Sequence, residues 1–177
     1  REETSLRILE IGFGTGLNAW LTALHQKDKM VEYIGIEAYP LTVAEALSLN
    51  YPQLFAKQAA SLSEDQDETE VDVPPKITSS GASQNEYAPF FQWIHSCPWE
   101  APQAHPDFPR FHLLKKQARI ESFSLEAPVH LVYFDAFAPE KQPELWTEEI
   151  FAQMFQHLLP GGSLVTYSAK GAVRRTM

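Results

Sequence analysis

The chain has little cysteine, little positive charge and no long apolar run. Cys97 is its one cysteine in 177 residues, so no intrachain disulfide can form and a reducing cytoplasm is the expected compartment. No apolar stretch is long enough to span a bilayer, and Arg1-Glu2-Glu3-Thr4 has none of the marks of a secretory leader. Lys and Arg number 14 against 23 Asp and Glu, a net charge of −9, which as an average argues against a polyanionic partner. His25, His95, His105, His112, His130 and His157 fall at no metal-ligand spacing, so no metal is expected. Neither a G-x-S-x-G elbow nor a phosphate-binding P-loop occurs. What is present is a 44% apolar chain of one domain's length, with ample material for a core.

The charge is unevenly placed. Glu64, Asp65, Asp67, Glu68, Glu70 and Asp72 crowd one short segment, and the balance without them is −3. Around them, residues 59–86 are dominated by Ser, Glu, Asp, Gln, Pro and Gly. Such a segment cannot bury enough surface to offset its ordering entropy, and it reads as an inserted surface loop or, less simply, an acidic contact arm. The C-terminal end is basic instead, with Lys170, Arg174 and Arg175.

The most informative stretch is Leu9-Glu10-Ile11-Gly12-Phe13-Gly14-Thr15-Gly16-Leu17-Asn18. An apolar run enters three glycines spaced two apart, and a helical pattern follows, which predicts a buried parallel strand, a tight turn and a helix start. A dinucleotide fingerprint would need glycine at position 17, where this chain has Leu17. Glu10 stands two residues before the first glycine, and Glu37 ends the second strand about 20 residues on, the place of an acid that binds a ribose diol. An acid at Glu10 suits the amino group of a methionine moiety. The stretch therefore reads as an S-adenosylmethionine site, against the plainer alternative of a glycine turn with no ligand.

Along the chain, strands are expected at 6–12, 32–37, from 111, at 129–134 and at 163–167. Helices are expected at 16–26, from Pro40 to about Asn50 with Tyr51-Pro52 as a stop, at about 87–96, and from Thr147 with Ile150, Phe151, Met154, Phe155, Leu158 and Leu159 on its buried face. Pro160-Gly161-Gly162 is expected to end that helix, and residues 97–110, rich in proline, read as a fixed crossing loop. Strands alternating with helices predict an α/β fold: a parallel sheet between two helical layers, a three-layer sandwich with ligands at the carboxyl ends of the strands. Gly12–Gly16, Glu37, Gln117, Asp135 and Ser168 fall at that edge. The chain reads as a single domain over 1–177, trimmed at both ends.

Three stretches go further. They are Gly12-Phe13-Gly14-Thr15-Gly16-Leu17-Asn18, then Phe134-Asp135-Ala136-Phe137-Ala138-Pro139 with Pro143-Glu144-Leu145-Trp146, and Pro160-Gly161-Gly162 leading to Thr166-Tyr167-Ser168-Ala169-Lys170-Gly171-Ala172-Val173-Arg174-Arg175. On these the chain resembles a Rossmann-type, S-adenosylmethionine-dependent methyltransferase, and more narrowly the MnmC-type tRNA methyltransferase domain, over about 6–55 and 90–177. The resemblance implies N-methylation of the 5-aminomethyl group of a wobble 2-thiouridine in the tRNA anticodon loop. It also implies a cofactor site of Glu10, Gly12, Phe13, Gly14, Thr15, Gly16, Asn18, Glu37, Gln117, Ala118 and Asp135, with no membrane partner and with a separate FAD-dependent oxidase as a further partner. The chain departs from the family's pattern in its acidic insert, in Gln117 or Ala118 where an acid is common, and in lacking the two closing strands.

For the chemistry, Asp135 is the candidate proton acceptor, or else a loop cap. Phe137 and Pro139 would wall the pocket, and the Ala138 carbonyl would be a second acceptor. Trp146 is a base-stacking surface or packing beneath the loop. Lys141, Lys170, Arg174 and Arg175 are RNA-phosphate contacts or ordinary solvent-exposed cations. Two other functions stay open: a small-molecule amine N-methyltransferase, and a non-catalytic module that binds S-adenosylmethionine or tRNA.

Overall fold

A computed structural model describes residues 5–26, 28–64, 87–168 and 170–177, without the side chains of residues 58–64, 172 and 174. The strands are β1 (Ser5–Ile11), β2 (Met30–Glu37), β3 (Gln103–His105), β4 (Phe108–Gln117), β5 (Val129–Phe134) and β6 (Leu158–Thr166). The helices are α1 (Leu17–His25), α2 (Val43–Leu47), α3 (Tyr51–Glu64), α4 (Ala88–Ser96), α5 (Glu148–Gln156) and α6 (Gly171–Thr176). The sheet order is β3-β4-β2-β1-β5-β6, parallel throughout except for β3. The chain therefore reverses its direction of winding at β1, between β2 on one side and β5 on the other, and a crevice opens above those strand ends.

The two-period of the strands feeds two cores. Ile8, Val31, Tyr33, Phe111 and Leu113 face one side, where they meet Trp20, Leu24, Phe90 and Phe91. Leu9, Ile11, Ile34, Ile36, Val132 and Phe134 face the other, against Phe151, Met154 and Trp146. The expected three-layer α/β sandwich is present. Among the described residues, no helix is long and apolar enough to cross a membrane.

Several local expectations need correction. The helix from Pro40 to Asn50 is instead the short α2, opened by a capping box in which Thr42 and Glu45 satisfy each other's backbone N–H groups. Tyr51-Pro52 starts α3 rather than stopping a helix, because proline loses nothing in a first turn whose N–H groups have no intrahelical partner. Phe55 of α3 then packs on Trp20 and Tyr87, at ring separations of 5.1 and 5.2 Å, so residues 59–64 of the expected insert are helical. The remainder of that insert, 65–86, lies outside the described residues.

The crossing loop hides β3, three residues antiparallel to β4 at the sheet edge. On the other side, α5 ends at Gln156, leaving Phe155 more than half exposed and placing Leu158 in β6 opposite Val129. Leu159 to Gly162 interrupt the ladder, with Gly161 at φ 82°, and pairing resumes at Ser163 opposite Leu131.

Gly35 is the tightest spot in the sheet. A Cβ there would lie 2.3 Å from the Phe13 ring, and that ring is itself held edge-on by His95 and Trp99. Gly35→Ala is expected to destabilise the fold by about 1–3 kcal/mol through overpacking, read as a lower urea midpoint at unchanged m-value.

Candidate active site

The crevice is a cavity of about 750 Å³, within the size of small-molecule sites. Its wall runs from Glu10 through the glycine loop, then Glu37 to Tyr39, Ala118 to Glu121, Asp135 to Phe137, Lys141 and Tyr167.

The glycine loop is shaped by what surrounds it. Gly12, Gly14 and Gly16 have φ of 84°, 47° and 66°, the left-handed region that side chains disfavour. A Cβ on Gly12 would lie 2.7 Å from the Asp135 carbonyl oxygen, and one on Gly16 would press on Ile94 and His95 of α4. Phe13 is turned into the core beneath the loop. His95 donates through Nε2 to the Thr15 carbonyl at 3.1 Å, and burial pushes its pKa down to about 4, so the ring is neutral. The buried Lys115 ammonium donates to the carbonyls of Ile94 and His95 at 2.8 and 3.2 Å, which fixes that end of α4. Glu37 closes the loop from the other side: its carboxylate accepts the N–H of Gly14 at 3.0 Å and of Tyr39 at 2.9 Å.

At the end of the cavity above β1 and β5, four polar side chains meet. Glu10 is 1% exposed yet borders the cavity. It accepts from Asn18 Nδ2 at 2.7 Å and from the Tyr33 hydroxyl at 2.9 Å. The same Asn18 nitrogen donates to Asp135 at 2.9 Å. Burial pushes the Glu10 pKa up to about 8, against the pull of the Asn18 and Tyr33 hydrogen bonds. Asp135 is also raised by burial, with Asn18 opposing.

The other sequence candidates divide. Ala118 borders the cavity, whereas Gln117 is exposed and its N–H is held by Glu100. Phe137 lies at the cavity mouth, 72% exposed. The Ala138 carbonyl accepts the N–H groups of Lys141 and Gln142, so it serves a turn. Pro139 is half-buried and outside the cavity lining. Trp146 is packing: it is buried against Phe134 and Phe151, and its indole N–H donates to the Phe137 carbonyl at 2.9 Å. Lys141 borders the cavity, Lys170 pairs with Glu140, and Arg175 is exposed on α6. The side chain of Arg174 lies outside the described set.

Sequence reasoning passed over several cavity neighbours. Tyr39, 73% exposed, and Arg119 share a hydrogen bond at the rim. Tyr167 donates to the Ala136 carbonyl at 2.8 Å. His95 and Lys115 act from behind the loop. Of these, none stands out in the sequence, since even Lys115 is half of a Lys115-Lys116 pair at the polar end of β4.

Residues 101–177 match a protein-family model described as S-adenosyl-L-methionine-dependent methyltransferase. The tRNA 5-methylaminomethyl-2-thiouridine biosynthesis bifunctional protein MnmC of Pseudomonas putida (strain GB-1) is 29% identical over 95% of this chain and 23% of its own length. Its counterpart in Actinobacillus pleuropneumoniae serotype 5b (strain L20) is 28% identical over 97% of this chain and 24% of its own. The chain thus spans less than a quarter of the curated relatives it matches. The crystal structure of MNMC2 from Aquifex aeolicus superposes with a TM-score of 0.58 at 23% identity, covering 99% of this chain and 46% of that one. The fold is the mixed α/β sandwich with a mostly parallel sheet that MNMC2 shares, and the C-terminal part of the chain is similar to S-adenosylmethionine-dependent methyltransferases. More narrowly, nearly the whole chain is similar to part of the MnmC proteins.

The residues present fit that cofactor. S-adenosylmethionine carries an ammonium and a sulfonium, and the cavity offers carboxylates where they can be met, Glu10 and Asp135 beside the loop and Glu37 at the tip of β2. A bound ammonium favours ionised Glu10. Without one, Glu10 binds its proton more tightly in the folded than in the unfolded chain. Its contribution to stability is thus full below about pH 4.5 and is lost as pH rises through about 8. Glu10→Gln is expected to flatten the fall in stability between pH 5 and pH 8, measured by urea unfolding at both.

Proposed function

We propose that this domain transfers a methyl group from S-adenosylmethionine to the nitrogen of the 5-aminomethyl group on the wobble 2-thiouridine of tRNA, working in the cytoplasm. The cofactor supplies an activated methyl on a positively charged sulfur. The chain's task is positioning, since the displacement is in line and needs the amine held as a free lone pair. The observation that carries this reading is Asp135, just after β5, whose backbone packs against Gly12 while its carboxylate accepts from Asn18 at the border of the same cavity.

In this reading Glu10 holds the donor's ammonium and Glu37 the ribose hydroxyls. Asp135 orients the attacking amine and accepts the proton it sheds, leaving a neutral secondary amine. Its pKa is raised from the ordinary carboxylate value by burial, which makes it a better acceptor. Phe137, exposed at the mouth, gives a flat apolar surface to the base. Lys141 and Arg119 at the rim, with Lys170 and Arg175 beyond it, meet backbone phosphates.

Incubation of the full chain with labelled donor and tRNA lacking the modification should place label in the wobble nucleoside. Asp135→Ala should lower that turnover by about 10²–10⁴-fold while donor affinity, measured separately, stays within a few fold. Full turnover in that variant removes Asp135 from the mechanism.

A second reading, methylation of a small-molecule amine, is favoured by the net charge and by the Lys170–Glu140 pair, which takes one cation out of play. It is separated by salt. If RNA is the substrate, replacing Lys141 and Arg175 by Ala should reduce the slope of log affinity against log salt by about 1–2. An unchanged slope favours the small amine.

A further inference from the structure

Asn18 stands in the first turn of α1, and both N–H bonds of its side-chain nitrogen are used. One goes to Glu10 Oε1 at 2.7 Å, the other to Asp135 Oδ2 at 2.9 Å. Both partners are carboxylates, so the nitrogen and not the amide oxygen must face them. Glu10 belongs to β1 and Asp135 follows β5, so one side chain spans the point where the winding of the sheet reverses.

We propose that Asn18 is a positioning residue that fastens the donor-side carboxylate to the acceptor-side carboxylate, so that one amide governs the charge state of both and occupation of either side is felt at the other. This rests on the methyl-transfer reading above.

The groups acting on the pair explain why one amide matters so much. Tyr33 of β2 donates to Glu10, while Asp135 and Glu37 act on Glu10 as like charges. Tyr167, beyond β6, feels the charge of Asp135. Burial opposes ionisation of both carboxylates. Against this, the amide of Asn18 favours the charged form at each site. Without it, both carboxylates keep their protons to higher pH. When the donor ionises Glu10, the amide is drawn toward that charge and Asp135 senses the change; by linkage the effect runs equally in the other direction.

The test uses the full chain carrying Asn18→Ala and, separately, Asn18→Asp. Asn18→Asp keeps the shape and puts an acid in a first helical turn, where it is tolerated. Donor affinity is measured by calorimetry from pH 5 to about 10.5 with S-adenosylmethionine alone, and kcat is then followed across the same range with acceptor tRNA. In the wild type, affinity should rise with pH as Glu10 ionises. In Asn18→Ala the midpoint of that rise should move up by about one to two pH units, the worth of a hydrogen bond to a charged group. The acid limb of kcat should move in the same direction, and both should move further in Asn18→Asp. Midpoints that stay in place while affinity or kcat falls evenly across the range overturn the proposal, since that is the signature of a merely structural residue. A shift in only one of the two profiles overturns it as well. A wild-type chain that binds no donor at any pH is a separate result, and it overturns the methyl-transfer reading itself.

Discussion

Two lengths of backbone from distant parts of the chain meet at Gly12 and Asp135 with no room for a side chain between them. A Cβ at Gly12 would lie within 2.7 Å of the Asp135 carbonyl oxygen, and the Asp135 N–H closes the gap on the other side by donating to the Ile11 carbonyl at 2.9 Å. In the proposed reading, this contact sets the distance between the loop on the donor side and the acid on the acceptor side. The parallel register of β1 with β5, Ile11 opposite Phe134, delivers both segments to the same height above the sheet. The rest of the site is built outward from there: α4 braces the loop through His95, and Lys115 braces α4.

The electrostatics of the crevice follow from what is placed near that contact. Glu10 is almost fully withdrawn from water, and its hydrogen-bonding partners are neutral groups. An acid so placed is a poor contributor to stability and a good receiver of a cation. Local inconsistency of this kind is expected at functional sites and is compensated elsewhere, here by two well-filled cores of aromatic and branched side chains. The chain's overall negative charge is therefore a weak guide to its partner. The charge that matters lies inside the cavity, and the rim beside it carries Arg119 and Lys141.

Much of this was readable in the amino-acid order, for identifiable reasons. Strands β1, β2 and β5 are rich in apolar residues, as a buried parallel sheet requires, and they lead into Gly12, Glu37 and Asp135. The glycine triplet, Glu37 and Asp135 could be placed at one edge because alternation of strand and helix fixes which ends line up. The misreadings came where tertiary contacts override local signals. Pro52 looked like a stop, but packing of Phe55 on Trp20 gives the helix that follows a reason to form. β3 is too short to show a period, and β6 begins inside what looks like a helix because Leu158 finds Val129. Trp146 was ambiguous since stacking and packing demand the same ring; its indole N–H, committed to the Phe137 carbonyl, decides for packing. His95 could not be found from spacing at all, because its target, Thr15, lies 80 positions away.

That long reach has a consequence in time. The glycine loop is an early stretch of the chain, yet its brace comes from α4 and β4, and its opposite wall from the end of β5. Closing such distant contacts is entropically slow, so the crevice is among the last features to be completed as the polypeptide emerges and folds. A partly synthesised chain ending before Asp135 has a glycine turn that Glu37 and His95 can hold, but not the wall that faces Gly12. Ligand can add to stability only through a state that binds it, and so it rewards the finished domain and not its precursors.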